Sequence, residues 1–495
     1  MNTSTWISRS VSKLLPEPKN ESKRPDPGAE RSLDAIEKGV SAPRAARPAA
    51  RSTRERLSAT LRRQEEALSP RVLRRTLEEL KAIVDPRVSE VEGGRRAQGV
   101  ARWYAGATEA QRRDMCLLMS EQFVADAQKV QQAQAQFAAA VGTPDEAAAE
   151  VLYRRATVSP RRRLLQRFSV FEGGIRFLVD LRADLLPHLK TERRLQALDV
   201  EMEYMFSTWF DVGFLDLRRI SWDSPASLIE KLIKYEAVHD IRSWADVKNR
   251  LDSDRRCYGF FHPRLPDEPL IFVEVAFTTA MADSITPLLD EAGEPADPAR
   301  SSTAIFYSIS NTQPGLKGVS FGDSLIKRVV ETLRAEFPRL KTFATLSPMP
   351  GFRAWLSRHA ADLLARTPQK TRDELARSLG AQPLTAQAML AALEDLPALE
   401  PKSPLRHWLL QCGAQYLGRE LADGKPLDAV ARFHLGNGAR VERLNWAADP
   451  SAKGIRQSCG LMVNYLYDLG RLDRHRTQLA QGKIPVSSAT AALFF

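Results

Sequence analysis

The sequence predicts an α+β protein, in which an all-α N-terminal domain precedes a mixed α/β domain interrupted by a helical insertion. Three observations lead there. Helical patterns with explicit start signals fill about residues 81–204; short runs of β-forming residues separated by turns begin near Phe206; and from about 366 to 423 the pattern is helical again before strand-like sequence returns at Val441.

At 495 residues the chain exceeds what one hydrophobic core usually serves, so two folded domains with extensions are expected. No run approaches the roughly 18 consecutive apolar residues of a membrane span. No membrane association is expected. Of the net charge of +11, a surplus of eight sits in residues 1–75, which hold 17 Lys and Arg against 9 Asp and Glu. That stretch is rich in Ser, Pro and Ala and poor in aromatics, so residues 1–80 read as a basic, largely disordered extension rather than a nucleic-acid-binding arm. Four cysteines, Cys116, Cys257, Cys412 and Cys459, form no CxxC pair. They read as reduced, structural thiols, Cys459 included, with no zinc site.

In the helical domain, Thr143-Pro144-Asp145-Glu146 has the form of a capping box, with Gly142 ending the helix before it. Ser159-Pro160 is a second helix start, followed by an apolar stripe at Leu164, Leu165, Phe168 and Phe171. Thr371-Arg372-Asp373-Glu374 predicts a third capped start, in the insertion.

In the mixed domain, Leu270–Thr278 and Ala304–Ser310 read as strands. The second runs into Asn311-Thr312-Gln313-Pro314-Gly315-Leu316-Lys317-Gly318-Val319-Ser320-Phe321-Gly322. A helix follows, with Leu325, Ile326, Val329, Val330, Leu333 and Phe337 on one face. A glycine-rich loop between strand and helix aims free amides and a helix dipole at a phosphate. The spacing is neither GxGxxG nor a Walker loop, which disfavours dinucleotides and nucleoside triphosphates.

After that helix, Lys341–Ser347 reads as a strand that should lie parallel to 304–310, so that Ser347 and the glycine loop leave the same sheet edge. Period two puts Ser347 on one face with Thr345 and Phe343. Among seven histidines, His434 stands out: it follows Phe433 and precedes Gly436-Asn437-Gly438, which reads as an ordered element leading into a hairpin-type bend. An unperturbed imidazole titrates near neutrality and suits proton transfer.

Four ordered motifs, Tyr307–Val319, Leu346–Phe352, Phe433–Ala439 and Ser458–Tyr465, together resemble the malonyl-CoA decarboxylase family over about residues 85–470. The resemblance implies a helical domain used in assembly (81–204), then a GNAT-like catalytic domain (205–475) and a C-terminal tail (476–495). It implies conversion of malonyl-CoA to acetyl-CoA and CO2 within fatty-acid and malonate metabolism. It places a substrate-binding loop on Lys317, Gly318, Val319, Ser320, Phe321, Gly322 and Asp323, a proton acceptor at Ser347, a proton donor at His434 and a supporting tyrosine at Tyr467. Beyond the coenzyme A thioester substrate no cofactor is implied, and no metal. The expected partners are malonyl-CoA, acetyl-CoA and further copies of the chain, as a dimer or tetramer, with no nucleic acid.

The acidic residues Glu17, Glu21, Asp26 and Glu30 do not suit a transit peptide, and Ala492–Phe495 is not a peroxisomal signal. A bacterial cytoplasmic setting is therefore expected. Two rival functions fit the same loop: a GNAT-type acyltransferase passing an acyl group to an amine, and a non-catalytic acyl-CoA sensor.

Overall fold

The computed structural model describes residues 68–319, 325–393 and 402–495. The expectation of a disordered extension lies, up to residue 67, outside the described residues. Among those described, the residues up to Leu178 together with His188–Leu198 form one compact unit, and Val179–Pro187 with Asp199–Phe495 form a second.

The first unit is helical: α1 (Pro70–Val84), α2 (Glu90–Gly106), α3 (Glu109–Gln122), α4 (Ala127–Ala140), α5 (Glu146–Thr157), α6 (Pro160–Phe168) and the first turn of α7 (Gly174–Leu185). It starts earlier than the boundary near residue 81. Ser69 caps α1 by accepting the Val72 amide, and burial of Leu80 and Ile83 holds that helix in the core. Thr108 and Gln111 form a reciprocal capping box at α3. At Thr143 the expected box is displaced: α5 begins at Glu146, whose carboxylate accepts the Gly142 amide, while Thr143 donates back to the Ala140 carbonyl. The turn residues satisfy one another locally, which competes with helix initiation. Gly142 does end the preceding helix, with φ +78° just past it. Arg161 is buried and donates to the carbonyls of Met119, Ser120 and Ala197, tying three segments of this unit.

The second unit takes the rest of α7, most of α8 (Gln196–Trp209), then β1 (Asp216–Ile220), α9 (Ala226–Tyr235), α10 (Trp244–Arg250), β2 (Arg255–His262), β3 (Leu265–Thr278), β4 (Thr303–Asn311), α11 (Leu325–Glu336), β5 (Thr342–Thr345) and β6 (Ser347–Pro348). The helices α12 (Phe352–Arg366), α13 (Gln369–Leu379), α14 (Ala386–Ala391) and α15 (Pro404–Gly418) follow, and the chain closes with β7 (Leu421–Ala422), β8 (Lys425–Pro426), α16 (Ala429–Gly436), β9 (Arg440–Asn445), α17 (Ala452–Ser458), β10 (Met462–Leu466), α18 (Leu472–Ala480) and α19 (Ser488–Ala491). In the insertion, α13 starts at Gln369 with Pro368 at its cap, so Thr371 lies inside the helix rather than capping it. Proline lacks the amide and sets the entry angle there.

An eight-stranded sheet orders the unit as β1-β2-β3-β4-β5-β10-β6, with β9 on β10. Among the described strands of this sheet only the β4–β5 pair is parallel, from Thr303 opposite Thr342 to Phe306 opposite Thr345. The expected strand, loop, helix and parallel strand are thus present, and β4 and β5 end toward one edge. One extra residue in β4, Tyr307, stands where Glu274 and Val275 of β3 face Ser308 and Phe306. On one face of the sheet, Ile305, Ala344, Leu346 and Met462 pack with Ile285 and Leu288.

Residues 476–495 are not a loose tail. Val486 bridges Val441 of β9, Ser487 donates to the Glu442 carbonyl, and Thr490 is buried. They cover a strand edge that would otherwise hold unpaired amides and carbonyls. Among the described residues no helix is long and apolar enough to cross a membrane.

Candidate active site

The glycine loop leaves β4 at Asn311 and is anchored at once. Thr312 and Gln313 are buried and both donate to the Pro269 carbonyl on the neighbouring strand. Gly315 is required by packing: a Cβ there would lie 1.8 Å from the Val179 carbonyl oxygen. Gly318 turns the chain with φ +82°, which favours glycine. Arg182 of α7, fully buried, donates to the carbonyls of Gly315 and Lys317, each at 2.9 Å, and pairs with Asp199 at 2.7 Å. This arginine was not singled out in the sequence. Lys317 and Gly318 are exposed and Val319 is buried. Ser320, Phe321, Gly322 and Asp323 lie outside the described residues. On α11, Arg328 donates to the carbonyls of Val212 and Leu215 rather than standing free for an anion.

Ser347 opens β6 immediately after β5 and is 6% exposed. The Leu346 amide donates to Phe306, continuing the β4–β5 ladder, and Ser347 sits opposite Val463 of β10. Strand alternation separates Leu346, which packs on the face of Ile285, from Thr345 and Ser347 on the other. Thr345 and Ser347 do share that face, with the Ser347 hydroxyl donating to Thr345 Oγ1 at 2.8 Å. On β10, Tyr465 alternates with Met462 and Leu466 in the same way and joins the serine's face.

His434 lies in α16, so the expected hairpin is a helix end: Gly436-Asn437-Gly438 closes α16 and leads into β9. Asp428 caps this helix by accepting the Val430 and Ala431 amides, and its other oxygen accepts the Tyr416 hydroxyl at 3.0 Å. Past the helix, Gly438 has φ +87°, and its carbonyl lies 2.9 Å from His475 Nδ1. The ring of His434 is thereby held from both ends of its helix.

These elements bring the three expected residues together. His434 Nε2 is 3.2 Å from Ser347 Oγ, and His434 Nδ1 is 2.8 Å from the Tyr467 hydroxyl. The imidazole lies against the Tyr465 ring, centroids 4.7 Å apart and planes 26° from parallel. All four side chains are buried. Burial alone pulls the His434 pKa down to about 3, so the ring is neutral at physiological pH. Burial likewise pushes both tyrosine hydroxyls well above their ordinary value, so they stay protonated. The result is an uncharged row of hydrogen-bonding groups in a desolvated place. Strand period places Thr345 on the serine's face from the sequence, whereas Tyr465 and the cap Asp428 were not singled out. Strand alternation could have found Tyr465 too, and Asp428, four residues after Gly424 and directly before Ala429-Val430-Ala431, had the form of a cap.

The cysteines are buried, and burial raises the Cys459 pKa to about 11, which leaves an inert thiol.

Comparison with known proteins shows the family. The family profile described as Malonyl-CoA decarboxylase C-terminal domain matches residues 213–494, and that described as Malonyl-CoA decarboxylase N-terminal domain matches 123–210. Mitochondrial malonyl-CoA decarboxylase of Anser anser anser is 40% identical over 332 residues, 64% of this chain and 65% of that protein. The Mus musculus protein of the same name is 40% identical over 337 residues, 65% of this chain and 68% of its own length. The chain therefore matches about two thirds of the length of these relatives. The crystal structure of malonyl-CoA decarboxylase from Rhodopseudomonas palustris superposes with a TM-score of 0.73 at 40% identity, covering 85% of this chain and 99% of that one. That from Cupriavidus metallidurans gives 0.69 at 42%, covering 86% and 100%. The chain belongs to the malonyl-CoA decarboxylase family.

Proposed function

We propose that this chain converts malonyl-CoA to acetyl-CoA and CO2, with Ser347 engaging the departing carboxylate or its proton and His434 delivering a proton to the enolate carbon. The observation that carries the reading is the buried row Ser347, His434, Tyr467, joined at 3.2 and 2.8 Å, whose imidazole is kept neutral by burial.

Loss of CO2 moves the electron pair of the breaking C–C bond into the thioester carbonyl, giving an enolate. The thioester is itself the electron sink, so the chemistry asks for no metal or organic cofactor. A carboxylate taken out of water loses hydration, whereas the enolate spreads its charge, so a desolvated site favours the change. The enolate carbon then needs an acid. A neutral imidazole N–H is acidic enough, because an enolate of this type is far more basic than imidazolate. Binding of the coenzyme A phosphates is assigned to Lys317–Asp323, of which Lys317 is held through its carbonyl by Arg182.

The same reading gives the helical unit the task of assembly into a dimer or tetramer. Val141, Val151, Leu152 and Val158, on α5 and beside it, are exposed apolar side chains that suit a second copy. Similarity to two bacterial proteins supports a bacterial cytoplasmic setting, in which malonyl-CoA consumption belongs to fatty-acid and malonate metabolism.

The test is incubation of purified protein with malonyl-CoA and no acyl acceptor, followed by mass spectrometry. Equal amounts of acetyl-CoA and CO2 are expected. Ser347→Ala and His434→Asn should each lower kcat by roughly 10² to 10⁴ while remaining folded. Absence of product without an amine, or near-normal turnover in both variants, would refute the proposal.

A further inference from the structure

We infer that Thr345 is a positioning residue: by taking the Ser347 hydroxyl hydrogen it obliges His434 to carry its proton on Nε2, the nitrogen that faces the serine. The inference rests on the proposed decarboxylation and names which proton the site holds ready.

Each step follows from hydrogen-bond inventory. Thr345 is fully buried, and its Oγ1 accepts twice, from the Ser347 hydroxyl at 2.8 Å and from the Tyr465 amide at 3.2 Å. The Thr345 carbonyl is fixed as well, by the Asn464 side-chain amide at 2.8 Å. Threonine therefore cannot turn away without leaving a buried backbone amide unpaired. A serine hydroxyl has one hydrogen. With that hydrogen given to Thr345, Ser347 offers only lone pairs to His434 Nε2 at 3.2 Å. Two lone pairs facing each other repel, so the contact requires a hydrogen on Nε2. Because the ring is neutral, Nδ1 is then bare, and it accepts the Tyr467 hydroxyl at 2.8 Å. The hydrogens run one way, from Tyr467 through His434 and Ser347 to Thr345.

The reverse polarity conflicts with the donation to Thr345. If Ser347 donated to Nε2, its one hydrogen would not be available to Thr345, and Nδ1 would carry the proton with the Tyr467 hydroxyl only accepting. The observed polarity leaves Ser347 as acceptor and His434 as donor. When the enolate carbon takes the Nε2 proton, an N–H bond breaks, a C–H bond forms, and the ring recovers its proton from solvent.

The test compares Thr345→Val, which keeps the shape and removes the acceptor, with Thr345→Ser, which keeps the hydroxyl. Ring ¹⁵N shifts are read on histidine-labelled protein, with the His434 signals identified by their loss in His434→Asn. Wild type and Thr345→Ser should show a protonated Nε2 and a bare Nδ1, with similar kcat. Thr345→Val should shift the tautomer population and lower kcat about tenfold, the scale of one hydrogen bond, with KM within about twofold. A wild-type ring protonated at Nδ1 overturns the inference, as does a Thr345→Val protein with unchanged ring shifts and kcat. If Thr345→Val does not fold, the wild-type tautomer decides. A wild type with the expected tautomer but no turnover of malonyl-CoA rejects the proposed reaction and leaves the positioning role standing.

Discussion

Tyr467 and His434 are joined by a 2.8 Å hydrogen bond, and both side chains are buried. Tyr467→Phe preserves the ring and its edge-on contact with Phe306, 6.3 Å between centroids, and removes only the hydroxyl. Nδ1 of the imidazole is then buried without a partner, which costs about 1–3 kcal/mol. The expected outcome is a lower unfolding midpoint in denaturant together with reduced kcat, since the histidine loses the donor that holds its Nδ1. Unchanged stability and unchanged kcat would show that the hydroxyl positions nothing.

A different part of the molecule governs the loop. Arg182 replaced by Met leaves the Gly315 and Lys317 carbonyls without their donor and strands Asp199, whose carboxylate is 2.7 Å from the guanidinium. Removing one partner of a buried ion pair costs about 3–5 kcal/mol. The variant should unfold at lower denaturant, and among molecules still folded KM for malonyl-CoA should rise more than kcat falls, because the loop rather than the Ser347–His434 pair has lost support. Arg182→Lys should recover only part, since a single ammonium does not reproduce the fork of donors. Wild-type KM and unfolding midpoint in Arg182→Met would contradict this account.

Gly315→Ala addresses the same loop from the backbone. The new methyl would meet the Val179 carbonyl oxygen at 1.8 Å, so loop and α7 must separate. Loss of soluble folded protein, or a KM raised like that of Arg182→Met, is expected from purification yield and steady-state kinetics. Full activity would place the loop's support elsewhere.

What the sequence made legible was local. The parallel neighbours β4 and β5 followed from a strand, loop, helix and strand in succession, and the shared face of Thr345 and Ser347 followed from alternation. What stayed hidden was set by distant partners. Arg182 reaches carbonyls 133 and 135 positions away, and nothing around it in the sequence marks that contact. The bend after His434 was misread because Gly-Asn-Gly serves a helix end as readily as a hairpin; what decides is the Asp428 cap, reinforced by Tyr416 from α15. Residues 476–495 looked like a tail because a short apolar segment gives no sign of the strand edge it will cover.

The neutral burial of His434 also makes a statement about pH. Its pKa is pulled down to about 3 in the folded protein, by burial alone, against an ordinary value near 6.5. The unfolded chain therefore binds more protons on this residue below about pH 6.5. His434 contributes stability that is complete above that pH and is lost as pH falls toward 3. Tyr465 and Tyr467, which face the ring, stay neutral throughout because burial raises both hydroxyls. His239, pulled down to about 4 mainly by burial, acts in the same direction, whereas Glu274, raised to about 8 mainly by burial, acts in the opposite one. The whole-protein curve is thus a sum, and the difference between wild type and His434→Asn isolates one term. At a slope of about 1.4 kcal/mol per pH unit, wild type should lose on the order of 2 kcal/mol relative to the variant between pH 6.5 and pH 5. Denaturant unfolding of both proteins at equal protomer concentration measures this directly. Parallel curves would mean that His434 is solvated or paired with a charge in the folded state, which would remove the neutral imidazole on which the proposed proton donor depends.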